Sequence, residues 1–161
     1  MKQQMGYTLV ELIVVICVLG LMLGFTLPKV EEVVVADPFQ KTSRTLLTLI
    51  RNLKQAAVAD QKTYLLNIDL HRNRIWETEE TMTEEVAKQI EEKAIQLAKG
   101  VWFSKVTVAG EDTATAGIAR VRFYPKGYSD PAEIGLEDGK RQRRTFIVEP
   151  FLSEVRMVEE G

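Results

Sequence analysis

The feature that most constrains this chain is an uncharged apolar run close to its start. From Leu12 to Leu27 the sequence reads Leu-Ile-Val-Val-Ile-Cys-Val-Leu-Gly-Leu-Met-Leu-Gly-Phe-Thr-Leu, without an acid or a base. Extended back to Tyr7, the run is interrupted only by Glu11. As a helix, residues 7 to 27 reach about 31 Å, close to the hydrocarbon thickness of a bilayer. A transmembrane helix over residues 7–28 is therefore expected. Lys2 precedes it and a bulky acidic remainder succeeds it. Under the positive-inside rule this favours a cytoplasmic start and an external domain.

Beyond the span, a chain of 161 residues has room for one domain. Lys plus Arg is 21 and Asp plus Glu is 23, a net charge of −2, which argues against coating nucleic acid by bulk charge. Cys17 is the only cysteine, which excludes an intramolecular disulfide framework and a cysteine-cluster zinc site. His71 is the only histidine, which excludes multi-histidine centres. There is no Gly-rich phosphate loop, nucleophile elbow or histidine-centred catalytic arrangement. No enzymatic activity, cofactor or metal is expected. Glu111-Asp112 and Glu137-Asp138 offer carboxylates to a calcium ion, but neither has the alternating ligand spacing of a calcium loop.

Glu11 needs an account, because a carboxylate inside a membrane helix is costly unless paired. A secretory signal peptide would place its cleavage site at Val34-Val35-Ala36, yet Lys29, Glu31 and Glu32 lie between that site and the apolar run. A plain single-pass anchor explains the length of the run and leaves Glu11 without a purpose. The surrounding stretch, Gly6-Tyr7-Thr8-Leu9-Val10-Glu11-Leu12, resembles the processing site of type IV prepilins and pseudopilins. In that family a short charged leader ends in Gly and is succeeded by an aromatic residue, Thr, Leu, an aliphatic residue and Glu. The family usually has Phe where this chain has Tyr7.

The resemblance implies a leader over residues 1–6, cleavage after Gly6 by prepilin peptidase, and N-methylation of Tyr7 as the new amino terminus. It further implies an external, periplasmic pilin-like domain over residues 29–161. The chemistry is coherent in its own terms. Gly6 lets the backbone enter a narrow protease site. The freed amine of Tyr7 and the carboxylate of Glu11 stand one helical turn apart, and each is compensated when it meets the opposite group on a neighbouring subunit. Glu11 is thus the expected assembly contact. Pro28 falls where many of these proteins carry a proline in the first helix. It removes a backbone donor, and a kink and a simple end to the span both remain open.

Downstream, Asp37-Pro38 interrupts helix, since the residue before proline avoids the helical region. A renewed helix capped by Thr42 or Ser43 is expected, with Leu46, Leu49, Ile50, Leu53 and Ala57 on one stripe. Tyr64 to Leu70 alternates as a strand, His71-Arg72-Asn73 reads as a turn with a solvated His71, and Arg74 to Thr78 returns. A helix is expected over Thr83 to Lys99, with Val86, Ile90, Ala94 and Leu97 on one face and Glu84, Glu85, Lys88, Glu91, Glu92 and Lys93 solvated. Gly100 stops it. Strands come next at Val101–Val108 and Ala119–Phe123, then a stretch punctuated by Pro125, Gly127, Pro131, Gly135 and Gly139, and a last pair at Arg144–Glu149 and Glu154–Val158. Trp76, Trp102 and Phe103 are expected in the core. The sum is an α+β fold, a long N-terminal helix continuing into a domain built on a mostly antiparallel sheet.

The order of Gly100-Val101, Phe123-Tyr124-Pro125-Lys126-Gly127-Tyr128-Ser129, Phe146-Ile147-Val148-Glu149-Pro150 and Val155-Arg156 is similar to the H-type minor pseudopilins of type II secretion. Minor pilins of type IV pili and DNA-uptake systems look much the same. The chain departs from the H-type pattern at Leu152-Ser153-Glu154 and in the charged helix of residues 83–99. The resemblance implies a minor pseudopilin of a periplasmic pseudopilus that drives protein export. Its partners would be other pseudopilins or pilins through their N-terminal helices, prepilin peptidase, an inner-membrane assembly platform, and the membrane itself.

Two other readings stay open: a minor pilin of a pilus or competence machine, and a membrane-tethered binding module that never polymerises. The cations of Lys140, Arg141, Arg143 and Arg144 bear on the first of these, because a local basic patch can grip a phosphate backbone or an acidic neighbour despite an acidic total. Nucleic acid is the less expected partner of that patch.

Overall fold

The structure, a computed structural model, describes residues 9–19, 37–113, 117–152 and 154–160. The chain divides into two units, Met1–Ala36 and Asp37–Gly161. In the first unit, helix α1 covers residues 9–19 and falls within the expected 7–28 segment. Leu9, Val10, Leu12, Ile13, Val14, Val15, Ile16, Val18 and Leu19 on it are all exposed. Among the described residues no helix is long and apolar enough to cross a membrane. Gly6, Tyr7 and Pro28 lie outside the described residues.

The second unit begins with helix α2, Pro38–Asp60. Its start differs from the expected cap at Thr42 or Ser43. Asp37 caps it, accepting from the Phe39 N–H at 3.1 Å, and Pro38 occupies the first turn, where a missing N–H costs nothing. Thr42 and Ser43 are buried on the helix face instead. The expected stripe is otherwise present: Leu46, Ile50, Leu53 and Ala57 are buried together with Phe39, while Leu49 packs at its margin.

Two antiparallel sheets receive that stripe in place of the single expected sheet. The first has the order β3-β2-β1-β6, from Ile95–Gln96, Arg74–Glu79, Tyr64–Asp69 and Ile118–Phe123. The second has the order β5-β4-β7-β8-β9, from Glu111–Asp112, Val101–Val108, Ala132–Asp138, Arg143–Val148 and Arg156–Glu160. One core joins α2 to both. Leu66 and Ile68 of β1, Val121 and Phe123 of β6, Val106 of β4, Ile134 and Leu136 of β7 and Phe146 of β8 are essentially inaccessible. Each such apolar side chain contributes about 2 kcal/mol by leaving water.

Strand β7 is the element the sequence hid. Ala132, Ile134 and Leu136 alternate inward, but Pro131 stands before them and Gly135 among them, and both are poor strand residues. Pro131 lies just outside the ladder, where its carbonyl accepts from the Ala109 N–H at 2.8 Å. Gly135 is needed beside the irregularity between Phe103 and Lys105 on β4. A Cβ there would come within 2.5 Å of the Ser104 hydroxyl.

The expected helix over 83–99 is cut short. Helix α3 spans Glu84–Glu92, and the residues after it turn to the sheet. Ile95 and Gln96 pair with Ile75 and Arg74, and the Leu97 N–H donates to the Asn73 carbonyl at 2.9 Å. Leu97 is buried by this route, so sheet pairing overrides the helical propensity of Ala94 to Lys99. The other face of β1 also departs from expectation. Alternation places Asn67 and Asp69 on a solvent face, yet both are buried: Asn67 donates to the Thr78 hydroxyl at 2.9 Å, and Asp69 accepts from Arg74 and the Arg72 N–H. Trp102 is half-exposed rather than in the core, whereas Trp76 and Phe103 are buried.

Because α2 is common to both sheets, the core should tolerate truncation there poorly. Ile50→Ala is expected to cost about 2–5 kcal/mol, and Leu49→Ala distinctly less. Urea denaturation of the full chain checks both.

Candidate functional site

Glu11 lies on α1 and is exposed there, flanked by the exposed Val10 and Leu12. Cys17 is a free thiol on the same helix and is also exposed. The helical spacing gives Glu11 the neighbours expected of a carboxylate set into an apolar surface.

The basic run does not form one patch. Arg141 sits in the β7–β8 turn with φ +66°, and Lys140 beside it is exposed. Asp138 staples that turn, accepting from the Lys140 and Gln142 N–H groups at 2.9 Å each. Arg143 and Arg144 then enter β8, where successive side chains point to opposite faces. Arg143 faces out and pairs with Glu137 at 3.2 Å. Arg144 faces in, buried with Phe146 and Val148. Its guanidinium pairs with Glu159, donates to the Gln40 side chain at 3.2 Å and lies 5.3 Å from the centre of the Phe39 ring. The alternation of Arg144, Phe146 and Val148 carried this signal in the sequence. Only Lys140 and Arg141 of the four cations remain without an ion-pair partner among the described residues.

Of the carboxylates considered for calcium, Glu137 and Asp138 are likewise engaged in the hairpin, while Glu111 and Asp112 form β5 at the edge of the second sheet. Asp138 is committed to backbone N–H groups, and Glu137 to Arg143. Among the described residues no group of three metal-ligating side chains comes together. His71 is exposed in the β1–β2 turn.

A charged cluster with no signature in the sequence fixes α3. Arg74 on β2 donates through Nε to Asp69 at 3.1 Å and through Nη2 to Glu91 at 2.5 Å, and its guanidinium lies 5.3 Å from the centre of the Trp76 ring. Burial pushes the Asp69 carboxyl up, but the Arg72 N–H at 2.9 Å and the Arg74 guanidinium together hold it below its ordinary value. Hydrogen bonding to Asp69 raises Arg74 in turn. A second such feature is Lys54 of α2, whose ammonium donates to the Glu149 and Leu152 carbonyls at 3.2 and 2.5 Å and holds the β8–β9 loop. Burial lowers its pKa, and the charge of Glu149 opposes that shift.

No protein-family model matches the sequence, and no curated protein matches it either. The comparison of folds is different. Two solved structures of the minor pseudopilin EpsH from the type II secretion system of Vibrio cholerae align with TM-scores of 0.54 and 0.53. They cover 78% and 79% of this chain, and 99% and 97% of their own. The fold is shared with EpsH. Identity over the alignments is 11% and 12%, so the likeness is one of fold rather than of side chains. Expected from the order of the turn and strand residues, the pseudopilin-like fold is thus present.

Asp69 gives a pH signature. Its folded pKa is lowered, so its stabilising contribution is complete above the unfolded value near 4 and is lost as the pH falls through the folded value. Asp69→Asn is expected to lower stability by about 3 kcal/mol at pH 7. The gap to the wild type should then close on acidification below about pH 4. Urea midpoints measured across that range test this, and a gap independent of pH would contradict it.

Proposed function

We propose that this chain is a minor pseudopilin of a type II secretion system, a structural subunit without a catalytic step. The observation that carries the reading is the EpsH-like fold of the domain in a chain that also holds Gly6-Tyr7-Thr8-Leu9-Val10-Glu11 ahead of an apolar run. In this reading prepilin peptidase cuts after Gly6, Tyr7 becomes the methylated amino terminus, and residues 7–28 anchor the chain in the inner membrane with its domain in the periplasm.

Assembly is then a matter of elementary electrostatics. A carboxylate and an amine are each costly in a hydrocarbon layer, and in this reading groups of opposite charge on neighbouring subunits offset that cost. Glu11 therefore selects one register among many that apolar helices alone would allow. The exposed aliphatic side chains of α1 are the surface such packing would cover. The alternative of a nucleic-acid-binding minor pilin draws less support, because Arg143 and Arg144 are committed within the fold. The filament, once built, would push folded cargo outward.

The direct test is the intact mass and N-terminal sequence of the protein from its native membrane. The expected chain begins at methylated Tyr7; a start at Met1 or Asp37 would remove the filament from the account. Glu11→Val is expected to be cleaved and membrane-bound yet to enter filaments poorly, which co-purification with the filament measures. A gel shift with the full chain is expected to show no retention of DNA at physiological salt.

A further inference from the structure

Helix α3 lies outside the core. None of its residues is buried, and none joins the apolar cluster that unites α2 with the sheets. A helix of 9 residues does not persist in water by itself, so its attachments decide whether it stays in place. The chain is fixed on either side of it. Before it, the Glu80 N–H donates to the Thr63 carbonyl at 3.0 Å, and the Met82 N–H to the Glu79 carbonyl at 3.2 Å. After it, Ile95 and Gln96 are paired into the first sheet. Thr83, the N-cap residue, makes no side-chain cap bond. Between those fixed points, Arg74 is the only side chain of the sheet that bonds to α3 among the described residues. It reaches the Glu91 carboxylate at 2.5 Å and the Glu91 carbonyl at 3.4 Å.

Beneath the helix is a cleft of about 440 Å³, so α3 spans the sheet without packing down onto it. Glu84 and Lys88 line this cleft and form no ion pair among the described residues, so they do not fasten the helix. Leu65 and Trp76 line it from the sheet side. Neither belongs to the core cluster, yet both are nearly shielded, at 8% and 7% exposed. The energetics favour local release. Of the two carboxylates on Arg74, the Glu91 side chain is 33% exposed and that of Asp69 only 6%. When Glu91 lets go it enters water, while Arg74 keeps Asp69 at 3.1 Å and the Trp76 ring at 5.3 Å. No buried charge is left unpaired, so the large penalty of breaking a buried pair does not arise.

We propose that α3 is a strap that opens as a unit while the rest of the domain stays folded. Its hinges are the turn at residues 80–83 and the segment 93–94, and the Arg74–Glu91 ion pair is its latch. Closed, the strap hides Leu65 and Trp76 on the outward face of the first sheet. Open, it uncovers them as an apolar strip, so that face is accessible to another molecule only in the released state. The device belongs to the domain itself and does not depend on the filament reading.

Hydrogen exchange of the full chain in detergent reads the opening directly. The amides of α3 are expected to exchange about a hundredfold or more faster than those of α2 and β1, because local opening costs less than unfolding. Glu91→Lys should speed the α3 amides by about a further tenfold, the factor lost with a charge-assisted hydrogen bond, and leave α2 and β1 unchanged. Glu92→Lys makes the same change of charge at an exposed neighbour with no bond to Arg74, and should leave α3 as it is. Trp76 and Trp102 are the two tryptophans of the chain. In a Trp102→Phe background, acrylamide quenching therefore reports Trp76 alone, and it should rise with Glu91→Lys but not with Glu92→Lys. Amides of α3 as slow as those of α2, or an equal acceleration throughout the domain, overturn the proposal. An equal response to the two substitutions, or Trp76 quenching that does not move, does the same.

Discussion

Everything in the domain depends on the apolar stripe of α2. The two sheets share no ladder, and Phe39, Leu46, Ile50, Leu53 and Ala57 of α2 join one core with residues of both. A stripe one residue out of phase would present Arg51 or Lys54 to a core that has no charge to receive it. The helix therefore sets the angle and spacing of the sheets, and the loops that bear the exposed features inherit their positions from it. Lys54 shows this directly, reaching from the flank of α2 to pin the β8–β9 loop.

How legible each element is in the sequence depends on how it is stabilised. Helix α2 and strands β1, β2, β4, β6 and β8 carry their own periodicity, and their residues announce them. Strand β7 does not, because Gly135 and Pro131 answer to neighbours: Ser104 on β4 and the Ala109 turn are far away in sequence. The end of α3 is obscured for a related reason. Ala94 to Lys99 are good helix formers, and only the pairing of Ile95 and Gln96 with β2 and of Leu97 with Asn73 draws them to the sheet. Thr42 and Ser43 look like caps because of their residue type, while Asp37-Pro38 supplies a better one in a place that looks like a break.

Charge is harder to read than hydropathy. A run of cations in sequence suggests one patch, yet a strand turns neighbours to opposite faces, so Arg143 and Arg144 part company. In the same way the acidic surface of residues 84–92 is not uniformly solvated, since Glu91 is spent on Arg74. The EpsH-like fold is reached at 11–12% identity.

Arg144 has one more consequence. Its guanidinium grips Phe39 and Gln40, in the first turn of the first helix of the domain, and Glu159, in the last strand. The two extremities of the domain are thereby clasped in one hand. Tension arriving along the backbone at Asp37 would first have to free Phe39 and Gln40 from Arg144, a residue of β8 inside the second sheet.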